Sequence, residues 1–245
     1  MNIYNPEYAI EVNHLTKEFG EFTAVNDISF NVKKGEIFGF LGANGAGKTT
    51  VIRMLIGLLR ATKGDILING IDIRYHVEEV KKTIGYMSQK FSLYNDLTAI
   101  ENMRFFGGIY GLSGKEIRER SDELLDQFKL QPLRKKIVGS LPIGWKQKLA
   151  FCTTMIHQPS IIFLDEPTSG VDPIIRRQFW EIIYELSNKL ITILVTTHNM
   201  DEAEYCHYTS MMVKGKIIAL DSPLELKKQY NAQNMNEVFL QLATT

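Results

Sequence analysis

Nine consecutive residues, Gly42-Ala43-Asn44-Gly45-Ala46-Gly47-Lys48-Thr49-Thr50, constrain this chain more than any other stretch. Their spacing is G-x-x-x-x-G-K-[ST], the phosphate loop or P-loop, and each position has a physical reason. The glycines let the backbone turn through positive φ and bring its N–H groups up to phosphate oxygens. Lys48 can reach the β- and γ-phosphates, and the Thr49 hydroxyl can ligate Mg²⁺. The flanks agree with this. Ile37-Phe38-Gly39-Phe40-Leu41 is a short apolar run that reads as a buried strand, and Val51 to Leu59 reads as the helix that follows. Strand, loop and helix start make an anion site, because a helix N-terminus offers free N–H groups and a positive dipole end. An ordinary glycine-rich turn would not need both flanks. The stretch predicts a nucleoside triphosphate site.

A chain of 245 residues can bury a real core as one large domain or two small lobes. Its 28 Lys and Arg balance 28 Asp and Glu, so no basic excess points to nucleic acid. The two cysteines, Cys152 and Cys206, lie far apart without metal-ligand spacing and read as free thiols in a reducing cytosol. The first ten residues lack a basic start and an apolar core, so no signal peptide is expected. No run approaches the ~20 apolar residues that span a bilayer. Any membrane role is expected to be peripheral.

Along the chain, Ile10 to Leu15 alternates apolar and polar residues like a half-buried strand, and Phe22 to Phe30 reads as a second strand or pair. Phe19 stands at a strand end, where a ring can stack on adenine or be an ordinary sheet aromatic. Ile66 to Ile68 and Ile84 to Met87 read as further strands, the latter ending at Ser88-Gln89. A glutamine there is, on its own, a solvated loop residue. From Asp96 the texture turns helical. Thr98-Ala99-Ile100-Glu101 and Ser113-Gly114-Lys115-Glu116 are capping boxes that open two helices, and a third follows Leu141-Pro142, with Pro142 suited to its first turn. Residues 90–160 are therefore expected to be a helical insertion. Ile161 to Leu164 is again a buried-strand run, Asp172-Pro173 caps and starts a helix, and Ile191 to Val195 is a strand. Tyr208 to Val213 and Lys216 to Leu220 flank Lys214-Gly215 like a hairpin, with two short helices after it.

The second half of the predicted site is Asp165-Glu166, directly after Ile161-Ile162-Phe163-Leu164. A carboxylate at the C-terminal end of a parallel strand reaches Mg²⁺ beside a P-loop, at the edge where such sheets bind ligands. The adjacent Glu166 is placed to polarise an attacking water as general base. His198 also ends an apolar strand, where a neutral imidazole can hydrogen-bond the γ-phosphate or hold the water.

In these residues the chain resembles the ATP-binding cassette (ABC) ATPases that drive membrane transporters. The match runs nearly its whole length, with the motifs in family order. The resemblance implies an α/β fold: a P-loop NTPase core with an N-terminal antiparallel β subdomain and an inserted α-helical subdomain. One cassette would span 1–245, with residues 1–89 and 161–245 as the nucleotide-binding lobe and 90–160 as the helical subdomain. Phe19 and Val25 would join the P-loop in binding ATP, Phe19 by stacking on adenine. Gln89 would be the glutamine-loop residue that ligates Mg²⁺ with Thr49 and Asp165 and senses the transmembrane subunit. Asp165 and Glu166 match the Walker B aspartate and catalytic glutamate, Ser169-Gly170-Val171-Asp172 the D-loop, and His198 the switch histidine. The stretches around Asp165 and His198 resemble the drug and lipid export branch.

One motif departs. Where the family has Leu-Ser-Gly-Gly-Gln, this chain has Leu141-Pro142-Ile143-Gly144-Trp145, with Lys146-Gln147-Lys148 following in register. The resemblance further implies a second ATPase subunit, the same or related, in a head-to-tail sandwich around two ATP molecules. It also implies transmembrane permease partners docked near Gln89, Phe91, Leu93 and Tyr94, at the cytoplasmic face of a membrane. The alternative is a soluble ABC-type ATPase acting on the ribosome or DNA. Against it stand the lack of a second cassette, of a coiled-coil insertion and of a basic excess.

Overall fold

The structure is a computed structural model that describes residues 5–90 and 92–243. Strands β1 (Tyr8–Phe19) and β2 (Phe22–Lys33) form an antiparallel hairpin. The alternation read at Ile10–Leu15 belongs to a longer strand that buries Ile10, Val12 and Leu15. Strand β3 (Ile37–Leu41) is buried throughout and leads through the glycine loop into α1 (Lys48–Leu55). Next come β4 (Lys63–Ile68), β5 (Ile71–Asp72), α2 (Val77–Thr83) and β6 (Ile84–Met87). Between β6 and the next strand the named elements are helical: α3 (Ala99–Ile109), α4 (Gly114–Gln127) and α5 (Ile143–Met155), with single 3-10 turns at Gln131–Leu133 and Val138–Ser140. Strand β7 (Ile161–Asp165), α6 (Pro173–Asn188) and β8 (Thr192–Thr197) restore the alternating pattern. A 3-10 segment, Met200–Tyr205, leads to the hairpin β9 (Tyr208–Val213) and β10 (Lys216–Asp221), then to α7 (Pro223–Gln229) and α8 (Met235–Ala243).

The strands make two sheets, one ordered β2-β1-β4-β5 and antiparallel, the other β10-β9-β3-β8-β7-β6 and parallel except at its β9–β10 edge. Register in the second sheet decides where chemistry can happen. Leu41 pairs with Thr197, and Asp165 with Thr196, so β3, β7 and β8 end level with one another. The segments that follow them start side by side at one edge.

Three apolar clusters hold the layers. The first lies between the two sheets and α1, with Phe30 stacked on Phe38 at 5.3 Å between ring centres. The second joins α3, α4 and α5 to α6 and to β7 and β8. At its centre Phe151 of α5 lies 5.5 Å from Phe128 after α4 and 4.9 Å from Phe179 of α6. The third packs Leu226, Met235 and Val238 of the last helices onto Met200 and Ala203 of the 3-10 segment.

Both capping boxes form, with the Thr98 and Ser113 hydroxyls accepting from the N–H groups of Glu101 and Glu116. Asp172 caps α6 by accepting from the N–H groups of Ile174 and Ile175. Cys152 and Cys206 are free thiols, and both are buried. Two local expectations need correction. Helix α1 begins at Lys48 and stops at Leu55, because Gly57 turns left-handed (φ 71°) and Leu58 and Leu59 fold back to the Arg53 carbonyl. Pro142 is not inside the first turn of α5 but is its N-cap, extended at ψ 155°.

Because Phe151 is fully buried and links the helical segment to α6, Phe151→Ala is expected to destabilise the fold by about 3–5 kcal/mol. Equilibrium denaturation in urea measures this. A loss under about 1 kcal/mol would mean that the two sides do not share one packed core.

Candidate functional site

The phosphate loop is shaped by contacts that only glycine permits. At Gly42 (φ 154°) a Cβ would lie 2.4 Å from the Met212 carbonyl oxygen, and at Gly47 (φ 112°) 2.7 Å from that of Ala24. The loop is thereby pressed against β9 and β2. Above Gly45 nothing lies within 4 Å of a Cβ position, so the outer side of the loop is open. Among the described residues no acceptor is bonded to the N–H groups of Gly45, Gly47, Lys48 or Thr49. Open space beside unpaired amides at a helix start suits a phosphate chain. Asn44, Ala46 and Thr50 complete the same loop and first turn, and Ala46 donates to the Ala43 carbonyl at 3.2 Å.

Lys48 is buried at the start of α1, where its ammonium donates to the carbonyls of Gly42 (2.7 Å) and Ala43 (3.1 Å). It stands 3.7 Å from Glu166 Oε1. Burial pulls its pKa below the usual lysine value, and the Glu166 and Asp165 carboxylates counter that pull.

The end of β7 supplies the negative half. Asp165 is 2% exposed and accepts from the Thr196 hydroxyl (2.7 Å to Oδ1) and the Thr49 hydroxyl (3.1 Å to Oδ2). Burial pushes the phenol of Tyr86 on adjacent β6 up to about 12, with the Asp165 charge adding to the effect, so it stays neutral. Glu166 adopts positive φ (51°), and its N–H donates to the Thr196 hydroxyl at 3.0 Å. Its carboxylate is met by two further predicted residues: Gln89 Nε2 donates to Oε2 at 2.9 Å, and His198 Nδ1 lies 3.2 Å from the same oxygen. Lys48, Gln89, Asp165, Glu166 and His198 come from four separate segments and meet at one sheet edge. Thr196 was missed by sequence reasoning. Its signal is the pair Thr196-Thr197 closing an otherwise apolar strand.

Other predicted residues fall elsewhere. Phe19 ends β1 with its ring half exposed and Lys17 Nζ 4.9 Å from its centre, so a face remains available for stacking. Val25 is a correction: it is fully buried in the cluster beneath the loop and offers no surface to a base. Leu141 to Trp145 start α5, and among the described residues none of them hydrogen-bonds to the phosphate loop, Glu166 or His198. Pro142 and Ile143 are exposed, Gly144 is packed beside Ile175, and the Trp145 ring lies 5.2 Å from Lys148 Nζ. Leu93 is buried and Tyr94 is 48% exposed, while Phe91 lies outside the described residues.

Comparison with known proteins agrees with this geometry. Residues 25–169 match the ABC transporter family. The chain is 45% identical over 241 residues to the probable multidrug ABC transporter ATP-binding protein YbhF of Escherichia coli, a match that covers 96% of this chain but only 42% of that protein. It is 34% identical to the linearmycin resistance ATP-binding protein LnrL of Bacillus subtilis, over 94% of this chain and 77% of that one. Among solved structures, an ATP-binding subunit of an ABC transporter superposes with a TM-score of 0.87 at 29% identity, covering 96% of this chain and 99% of the other. A match that runs through the phosphate loop, both strand-end carboxylates and the helices between them, with relatives at this identity, makes the chain a member of the ABC transporter family of ATP-binding proteins.

Proposed function

We propose that this chain binds and hydrolyses ATP in a head-to-tail nucleotide sandwich with a second ATPase subunit, and so drives export through transmembrane permease subunits. It would work as a peripheral protein at the cytoplasmic face of the membrane. The observation that carries the reading is the convergence on Glu166: Lys48 at 3.7 Å, Gln89 at 2.9 Å and His198 at 3.2 Å, beside an open phosphate loop. The export direction rests on relatives named for multidrug transport and linearmycin resistance. Among the described residues no helix is long and apolar enough to cross a membrane, so the transmembrane path falls to other subunits or segments.

In this reading the loop amides of Asn44 to Thr50 hold the phosphates, Lys48 faces the β- and γ-phosphates, and Phe19 stacks on adenine. Thr49, Asp165 and Gln89 present hydroxyl, carboxylate and amide oxygens, which suit a hard cation such as Mg²⁺. When bound, Mg²⁺ would supply positive charge against that developing on the phosphates. Among the described residues no group of three or more His, Cys, Asp or Glu side chains is arranged to hold a metal. Mg²⁺ needs none, since it takes one or two carboxylates and completes its shell with phosphate and water. Glu166 accepts the proton of the attacking water, and His198 fixes the carboxylate and the γ-phosphate relative to each other.

Removing the Lys48 ammonium deletes a charge-assisted contact worth about 1.5–3 kcal/mol. Lys48→Ala is therefore expected to weaken binding of a fluorescent ATP analogue by about tenfold or more. Binding within about twofold of wild type would overturn the loop assignment. Glu166→Gln keeps the shape and takes away the base. Turnover should fall by about 10²–10⁴ with binding intact. The variant should then collect as an ATP-bound dimer on size-exclusion chromatography with Mg·ATP. A variant that stays monomeric and turns over normally would put the base elsewhere.

The divergent start of α5 deepens the proposal. Pro142 has no N–H, and its side chain makes no capping hydrogen bond. Ile143, 52% exposed, puts a β-branched side chain where close backbone approach to a partner's γ-phosphate would be needed. A lost hydrogen bond to a charged group costs about 1.5–3 kcal/mol, roughly ten- to a hundredfold. A site completed by this segment should turn over slowly, and a partner with an intact Leu-Ser-Gly-Gly-Gln should serve this chain better. Steady-state ATPase of the chain alone is expected to be slow and to rise several-fold in the Pro142→Ser, Ile143→Gly variant. Brisk wild-type hydrolysis, unchanged in the variant, would leave a homodimer as the simpler assembly.

A further inference from the structure

Glu202 lies four residues beyond His198, on the 3-10 segment Met200–Tyr205, and is 1% exposed. Its Oε1 accepts the hydroxyl of Thr168, itself buried and two residues beyond Glu166. The same oxygen is 3.5 Å from Nε of Arg176 in the first turn of α6, an ion pair without a hydrogen bond, while Oε2 is buried with no hydrogen-bond partner. A buried carboxylate with one partly exposed counter-ion and one unpaired oxygen is a costly choice. Filling space alone would be served at lower cost by methionine or leucine. The connectivity gives a different reason.

The contacts close a ring. From Glu166 two steps of backbone lead to Thr168, and the hydroxyl bond crosses to Glu202. Four steps back along the backbone, out of the 3-10 segment and past its cap Asn199, reach His198, whose Nδ1 returns to Glu166 Oε2 at 3.2 Å. Within the ring the backbone is braced, with Glu202 N–H donating to the Asn199 carbonyl and Ser169 N–H to that of Glu166. Glu202 Oε1 also meets residues on both sides of Ser169-Gly170-Val171-Asp172, because Thr168 precedes that loop and Arg176 follows it. Resting on the hydrolytic reading above, we propose that Glu202 is a positioning residue. Through Thr168 it sets the separation of Glu166 and His198, and through Arg176 it ties that pair to the loop before α6.

Two variants open the ring: Thr168→Val, which keeps the shape and loses the hydroxyl, and Glu202→Met, which keeps the length and loses the acceptor. Two others preserve the bond, Thr168→Ser and Glu202→Gln. The first measurement needs no turnover. In the nucleotide-free full chain labelled at its five histidines, the imidazole signal of His198, assigned with His198→Ala, should shift or broaden in both opening variants. Signals of His157 and His207 should hold. The second is steady-state ATPase. Opening the ring should lower kcat by about ten- to a hundredfold, the scale set by misplacing a reacting group by an ångström or less. KM for Mg·ATP should stay within about twofold, and the two preserving variants should recover most of the rate. The Thr168→Val, Glu202→Met double variant should be no slower than the worse single one, since both cut one link. An unmoved His198 signal, additive losses, or losses that track lowered thermal stability with all histidine signals disturbed would each overturn the proposal. If His198 moves but wild type shows no hydrolysis with any cassette partner, the ring stands and the hydrolytic reading falls.

Discussion

The site depends on a charge kept where charges are expensive. Asp165 sits at the end of a strand buried along its whole length, 2% exposed, between two other parallel strands. An isolated carboxylate there would carry several kcal/mol of desolvation cost. Hydroxyl donors from β8 and from the first turn of α1 offset it, at 2.7 Å and 3.1 Å. Each donor has to be brought in by its own element. Strand register supplies Thr196, and the tight glycine loop delivers Thr49. Lys48 then meets Glu166 one residue further on. The parallel sheet, the loop and the helix start are thus tied together by one buried acid.

What could be read in advance follows the range of the interactions. The glycine loop, the two capping boxes, the Asp172 cap and the Lys214-Gly215 hairpin are written in neighbouring residues, and the structure keeps each of them. Where the deciding partner is distant in sequence, reading failed. Val25 is assigned to ATP by the resemblance alone, yet the fold buries it completely in the cluster between the two sheets and α1. Helix α1 looked longer because Leu58 and Leu59 are apolar, but Gly57 turns the chain before them. Helix α2 has only seven residues, with Val80 its sole buried side chain, too weak a period to notice. Thr196 gained its meaning from the Thr196–Asp165 pairing across strands. Glu202 is unremarkable among Asp201, Glu202 and Glu204 until folding buries it alone of the three.

The helical segment shows how one core can carry two surfaces of different kind. Its inner side shares Phe128, Phe151 and Phe179 with the sheet layer, so α5 is firmly set. Its leading end is bare by comparison. Ile143 is exposed, Pro142 gives α5 no side-chain cap, and Lys146 donates from the first turn to the Gly139 carbonyl. A helix start so placed is rigid in position yet unfinished in hydrogen bonding.

One turn of chain gives the phosphate loop its stiffness. Gly215, between β9 and β10, donates its N–H to the Ala46 carbonyl at 3.0 Å, and its own carbonyl accepts from Asn26 N–H at 2.8 Å. A Cβ there would crowd the Ala24 carbonyl at 2.9 Å, so no other residue fits that turn without displacement. The hairpin tip works as a rivet through two sheets, and the loop cannot slide without shearing both. The entropy of ordering the loop is thus met during folding. Little of it is left to be taken from the affinity for whatever the loop receives.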